Sequence, residues 1–181
     1  QRSTRWKAAG AADGYKWQVL HYLRHNPGHD VSSLKLVACG GSAVPRSLMT
    51  AYDELGVRIV QAWGMTETSP LAAVALPRNS DTPERSLYLR GTQGRVVAGV
   101  QARIVDDAGA EQPWDGKSVG EIQIRGPWIT GSYYEHDTSA VSPDGWLRTG
   151  DVGTISPDAF ITLNDRSQDV IKSGGEWCSS V

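Results

Sequence analysis

The stretch from 34 to 62 constrains the fold most, because two short apolar runs flank one amphipathic segment that carries stop signals. Leu34-Lys35-Leu36-Val37-Ala38 reads as a short strand running into Gly40-Gly41. Pro45 suits a first helical position, Leu48, Tyr52 and Leu55 give one apolar face, and Gly56 suits the residue just past a helix end. Val57-Arg58-Ile59-Val60-Gln61-Ala62 then reads as a second, buried strand. Two strands joined through a helix are expected to run parallel. Upstream, Tyr15 to Arg24 is a predicted helix with Tyr15, Val19, Tyr22 and Leu23 at helical spacing, ended by Asn26-Pro27-Gly28.

The texture changes after Pro77. Residues 77–92 are polar and punctuated, the composition of a surface excursion. From Gly94 onward short alternating runs dominate, among them Val100 to Val105 and Val119 to Ile124, separated by the turn chemistry of Asp106-Asp107-Ala108-Gly109. Val152 to Ile155 and Phe160 to Leu163 form a further pair across Ser156-Pro157-Asp158-Ala159. The expected fold class is therefore α/β, a strand–helix–strand part followed by a small antiparallel β-subdomain, with a distorted barrel as one form of it.

The chain has 181 residues, a net charge of −2 and 39% hydrophobic residues, enough for one ordinary globular core. That near-neutral balance offers no reason to propose nucleic acid or an anionic membrane as a partner. The longest apolar run, Leu71 to Leu76, is too short for a membrane span. Cys39 and Cys178 are far apart without C-x-x-C spacing, which fits a reducing, cytoplasmic setting. Both ends read as cut: position 1 is not Met, and Val181 follows closely on a glycine-rich turn, so the expectation is an internal fragment.

Several loops carry chemistry. Gly40-Gly41-Ser42-Ala43 follows a strand and lets a flat ring lie against backbone, although taken alone a tight strand-to-helix turn is the better reading of it. Trp63 at the end of the second strand offers an aromatic face for a purine, or is a core tryptophan. Thr66 offers a hydroxyl donor and Glu67 a hard carboxylate for Mg²⁺; the plainer reading makes Thr66 or Thr68 the cap of a short helix. Asp151, at the expected start of a strand after Thr149-Gly150, can accept from ribose hydroxyls or serve as a turn aspartate. Arg166 lies in Asp165-Arg166-Ser167-Gln168-Asp169, where it reads either as a phosphate contact at a domain junction or as part of a surface charge run. His21 and His25 have the i,i+4 spacing of a metal pair but no carboxylate on the same turn, and no P-loop or nucleophile elbow is present.

Taken together, these residues resemble the acyl-adenylate-forming enzymes, and among them the fatty-acid CoA ligases. The matching segments are Gly40-Gly41-Ser42-Ala43-Val44-Pro45, Trp63-Gly64-Met65-Thr66-Glu67, Gly120 to Pro127 continuing to Tyr133, Leu147-Arg148-Thr149-Gly150-Asp151, and Asp165-Arg166 through Lys172-Ser173-Gly174-Gly175. Five motifs in the family's order across residues 40–177 are far more specific than any one of them. Thr68-Ser69-Pro70, Pro127-Trp128-Ile129-Thr130-Gly131 and Lys172 to Trp177 point to the fatty-acid branch.

The resemblance implies ATP or AMP, Mg²⁺, and CoA as a substrate. It implies that Gly41, Ser42, Ala43 and Trp63 frame adenine, with Ala62, Gly64 and Met65 alongside. It further implies that Thr66 contacts phosphate, Glu67 holds Mg²⁺, Asp151 binds ribose and Arg166 contacts the nucleotide. Lys172 and the Gly174-Gly175 turn would reach the site in a second state, leaving room for the pantetheine arm. On this view residues 1–165 are the later part of a large domain (1–76 α/β, 77–165 β-rich), 166–168 are a hinge, and 169–181 begin a small C-terminal domain. Gln168 stands where the family usually has Asp or Lys, and Cys178 where a branched apolar residue is expected. The expected activity is that of an AMP-forming acid–thiol ligase, with the fragment alone inactive for want of an upstream phosphate loop and a C-terminal lysine. The alternatives are an adenylating ligase for aryl or amino acids, or a non-catalytic nucleotide-binding module.

Overall fold

In the computed structural model, residues 14–134, 139–166, 171–173 and 176–178 are described, with backbone alone for 14, 15, 165, 166 and the last two segments. The first helix, α1 (Gly14–His25), is followed by β1 (Leu36–Cys39), α2 (Arg46–Asp53) and β2 (Arg58–Trp63). The two strands pair in parallel, with Leu36 opposite Arg58 and Cys39 opposite Gln61, as the strand–helix–strand pattern requires. One core forms here from Leu20, Leu48, Met49, Tyr52, Val57 and Ile59. The buried face of α1 differs from expectation: Leu20 is 1% exposed whereas Tyr22 is 47% exposed. The helix is seated by Tyr52, whose hydroxyl donates to the Lys16 carbonyl at 2.9 Å, and this turns Leu20 rather than Tyr22 inward.

Residues 77–92, expected as a surface excursion, contain a helix, α3 (Pro83–Arg90). Its start follows from Thr82, which accepts the Arg85 N–H, and from Pro83 in the first turn. Its apolar residues, Leu87, Tyr88 and Leu89, are consecutive and so spread around the helix instead of forming one stripe, and hydrophobic periodicity gave no signal. It is anchored instead by Arg90, 4% exposed, which makes a two-pronged pair with Asp53 at 2.9 and 2.5 Å and donates to the Ile59 carbonyl at 3.3 Å.

The remaining strands are β3 (Ala73–Val74), β4 (Gly94–Val96), β5 (Gln101–Val105), β6 (Glu111–Gln112), β7 (Gly120–Arg125), β8 (Leu147–Ile155) and β9 (Phe160–Arg166). They join β1 and β2 in one mixed sheet of nine strands, ordered β1-β2-β3-β4-β9-β8-β7-β5-β6. The α/β part and the β-rich part therefore share a sheet, and the order is open with β1 and β6 at its ends. The turn at 106–109 leads into β6, while β7 lies on the other flank of β5. A second core, with Trp63, Ile104, Ile122, Ile124, Leu147, Ile155 and Ile161, lies under the antiparallel strands. A separate antiparallel pair, β10 (Ile171–Ser173) and β11 (Glu176–Cys178), places Lys172 in register with Trp177. Gln168 and the rest of the expected hinge after Arg166 lie outside the described residues, as does Gly174. Among the described residues no helix is long and apolar enough to cross a membrane.

Candidate active site

The parallel pair β1–β2 sets the first wall. Its strands end side by side, so the loop leaving β1 lies against the loop leaving β2, the place where open α/β sheets put ligands. A side-chain carbon at Gly40 would stand 3.0 Å from the Ala62 carbonyl oxygen, so the loop leaving β1 passes close by the end of β2. Gly41, Ser42 and Ala43 are exposed beyond that contact, with Gly41 at φ +88°. The loop is tied down by Gln61, which sequence reasoning treated only as a strand residue. Its side chain is 3% exposed; Oε1 accepts the Val44 N–H at 2.9 Å, and Nε2 donates to the Arg90 and Thr92 carbonyls at 3.3 and 3.1 Å. The available signal was one amide side chain inside an otherwise apolar run, because a buried amide persists only when its hydrogen bonds are made.

The loop after β2 turns sharply. At Gly64 any side-chain carbon would fall 1.9 Å from the Pro70 oxygen and 2.6 Å from Thr68 Oγ1, so only glycine permits the chain to fold back there. Thr66–Thr68 forms one 3₁₀ turn. The two threonines divide the roles left open by the sequence. Thr68 is fully buried at the last position of that turn, accepting the Met65 N–H and donating to the Met65 carbonyl, both at 2.9 Å, so it ties the turn back to its N-cap residue rather than starting a helix. Thr66 is exposed and Glu67 half-buried, with Met65 partly buried against the core. The Glu67 carboxylate accepts from the Tyr133 hydroxyl at 3.0 Å. That hydrogen bond, and the nearby negative charge, raise the pKa of Tyr133 above its ordinary value.

Asp151 stands in the middle of β8 rather than at the start of a strand. The reason is a bulge: Glu121 pairs with Val152 and Gln123 with Arg148, so residues 149–151 face Ile122 alone. Gly150, at φ +71°, lets the chain make that detour. The hydroxyl of Thr149 donates to the Ile122 carbonyl at 2.6 Å and accepts the Asp151 N–H at 3.1 Å, replacing the lost ladder bonds. A second irregularity lies between Val152 and Gly153 in the pairing with β9. Bulges of this kind re-aim a side chain. Here the result is that Asp151, 5% exposed, receives the Trp63 indole N–H on Oδ2 at 2.8 Å.

Trp63 is thus a core residue, 7% exposed, whose polar edge holds the aspartate. Arg166 lies directly across from Asp151 in the β8–β9 register. The structure therefore brings residues 63 and 151 into contact and sets 166 on the adjoining strand, while Lys172 belongs to the β10–β11 pair. Another part of the third motif is structural: Glu121 Oε2 accepts from Arg148 Nε at 2.8 Å, so this motif is fastened to the fourth.

Among the described residues no cluster of three or more His, Cys, Asp or Glu could hold a metal on its own. His25 Nδ1 donates to the His21 carbonyl at 2.8 Å, an intrahelical bond rather than a paired metal site. Glu67 alone still fits Mg²⁺, which is commonly bound by one or two carboxylates and completed by substrate phosphates and water. Two shallow grooves, of about 580 and 640 Å³, run beside Gly99, Gln101 and Arg125 and are not lined by Trp63, Glu67 or Asp151.

Residues 10–134 match the family described as AMP-binding enzyme. The chain is 40% identical over 171 residues to a long-chain-fatty-acid–CoA ligase of Thermus thermophilus, covering 91% of this chain and 32% of that protein. It is 43% identical over 169 residues to a medium-chain-fatty-acid–CoA ligase of Ectopseudomonas oleovorans, covering 91% and 31%. Among solved structures, the amide bond synthetase McbA of Marinactinospora thermotolerans superposes with a TM-score of 0.77 at 31% identity, over 94% of this chain and 33% of that one. The O-succinylbenzoate CoA synthetase of Bacillus subtilis in complex with ATP and magnesium superposes with a TM-score of 0.71 at 29% identity, over 88% and 32%. The chain spans about a third of the length of the relatives it matches. On the motifs, the fold and this match, the chain belongs to the AMP-binding enzyme family.

Proposed function

We propose that the protein carrying this chain is an AMP-forming acid–thiol ligase acting on fatty acids. The observation that supports it most is the 2.8 Å bond between Trp63 and Asp151, which joins two motifs 88 residues apart at one point of the sheet. Both side chains are buried and joined edge to carboxylate, and their meeting favours a common site. The 40–43% identity to fatty-acid CoA ligases favours an aliphatic acid over an aryl one.

In the first half-reaction a carboxylate oxygen attacks the α-phosphorus of ATP, and the bond to the bridging oxygen breaks to release pyrophosphate. In the second, the CoA sulfur attacks the acyl carbonyl of the adenylate, and AMP leaves with its phosphate oxygen. The first step brings anions together, so donors and cations must offset charge as it builds. Thr66, exposed on the 3₁₀ turn, donates its hydroxyl to phosphate. Glu67 would hold Mg²⁺, which when bound supplies charge neutralisation to the phosphates. Asp151, oriented by the indole, accepts from the ribose hydroxyls, and Arg166 beside it contacts the nucleotide. Gly41, Ser42 and Ala43, with Ala62, Gly64 and Met65, border the adenine, while Trp63 acts through Asp151. The hinge at 166–168 then brings Lys172 and Gly174 toward the adenylate for transfer to CoA.

The test is pyrophosphate release by the intact protein with ATP, CoA and a panel of acids. Preference for aliphatic acids of medium or long chain is expected, with Glu67→Gln lowering turnover at least tenfold. Preference for benzoates or amino acids would reject the fatty-acid assignment, and ATP binding without turnover would reject the ligase assignment altogether.

A further inference from the structure

The segment 126–134, which carries no role in the reaction above, is bonded at four points to the loop that carries Thr66 and Glu67. The Thr130 N–H donates to the Glu67 carbonyl at 2.9 Å, and Ser69 Oγ donates to the Trp128 carbonyl at 3.2 Å. Trp128 Nε1 donates to the Leu71 carbonyl at 3.2 Å, and the Tyr133 hydroxyl donates to Glu67 Oε1 at 3.0 Å. The brace has its own seat. The outer edge of the Trp128 ring lies over Gly99, where a side-chain carbon would come within 2.9 Å of it.

Three of the four bonds go to backbone or to the loop's far end and set where the loop runs. The fourth reaches the carboxylate itself. Tyr133 is 48% exposed, so its hydrogen bond contributes little to folding in competition with water. Its effect is directional: it engages one oxygen of Glu67 and limits rotation of the carboxyl group.

From this we propose that Tyr133 is a positioning residue for Glu67, holding the carboxylate in the orientation that accepts the nucleotide-bound divalent cation. This rests on the role given to Glu67 above. Preorganised ligands bind more tightly because less rotamer freedom is lost on binding. Removing the hydroxyl should therefore weaken cation binding without unfolding the loop, since the three other bonds remain.

The experiment uses the intact protein with Mn²⁺ as the probe, titrated with ATP present and read by the electron paramagnetic resonance of free Mn²⁺. Tyr133→Phe is expected to weaken Mn²⁺ binding about three- to tenfold with thermal unfolding unchanged. Glu67→Gln should weaken it more, and Tyr133→Phe should add nothing in that background. If Glu67→Gln weakens binding but Tyr133→Phe does not, the positioning role is overturned while the reading of Glu67 stands. An effect of Tyr133→Phe that persists undiminished beside Glu67→Gln likewise overturns it. If neither change alters Mn²⁺ binding, the cation role of Glu67 fails and this inference with it.

Discussion

The bond between Trp63 and Asp151 can be measured by a double-mutant cycle of Trp63→Phe and Asp151→Ala. Phenylalanine keeps an aromatic ring in the core but removes the N–H donor, and alanine removes the acceptor. The bond is 2.8 Å long between groups 7% and 5% exposed, so water does not replace it when one partner is lost. A hydrogen bond to a charged group contributes about 1.5–3 kcal/mol net. Packing losses of each single change recur in the double variant and cancel in the cycle. Chemical denaturation of the four intact proteins should give a coupling energy in that range. Calorimetric titration with ATP should show Trp63→Phe binding roughly tenfold more weakly, the equivalent of about 1.4 kcal/mol, because the ribose acceptor has lost its orientation. Single effects that add to within about 0.5 kcal/mol, with ATP affinity unchanged in Trp63→Phe, would refute the idea that the indole organises the nucleotide site.

Three further outcomes follow from the same geometry. Gln61→Met removes an acceptor from the Val44 N–H and a donor from two carbonyls, at roughly 1–3 kcal/mol for each buried group left unpaired; denaturation midpoints should fall and ATP binding should weaken as the 41–44 loop loosens, and an unchanged midpoint would contradict the anchoring role. Thr68→Val should cost about 1 kcal/mol of stability through its lost bonds to the Met65 backbone, whereas Thr66→Val should leave stability unchanged and slow pyrophosphate release, and equal effects of the two on both readouts would contradict the division of roles. Burial of the Tyr52 phenol raises its pKa above the ordinary value near 10, with the field of Cys39 adding to it. Its folded-state pKa therefore lies above the unfolded one, so stability is intact below about pH 10 and is lost as pH rises beyond it. Denaturation between pH 8 and about 11 should show that decline reduced in Tyr52→Phe relative to the parent, and identical profiles would show that Tyr52 does not contribute.

Much of the fold was legible because local chemistry and tertiary context agreed. The 34–62 unit announced its parallel strands through helix spacing and end signals, and the 152–163 pair through alternation across a turn. The helix at 83–90 was hidden because its anchor is Arg90 paired with Asp53, a charge contact that hydrophobic periodicity does not register. The antiparallel half was legible as strands, but β3 and β4, two and three residues long, carry too little pattern to reveal that they join it to the parallel pair in one sheet.

The amino-acid order alone determined which side chains could serve a nucleotide: small residues at 41–43, a hydroxyl and a carboxylate at 66 and 67, an acid at 151 and a guanidinium at 166. Those identities follow from chemistry, which is local to each residue. Which threonine closes the turn, that Trp63 holds Asp151 by its edge, that Gln61 secures the glycine loop and that Tyr133 meets Glu67 were decided only in three dimensions. Each of those pairings depends on a bulge, a strand register or a close backbone approach, and these arise from the packing of segments distant in the chain.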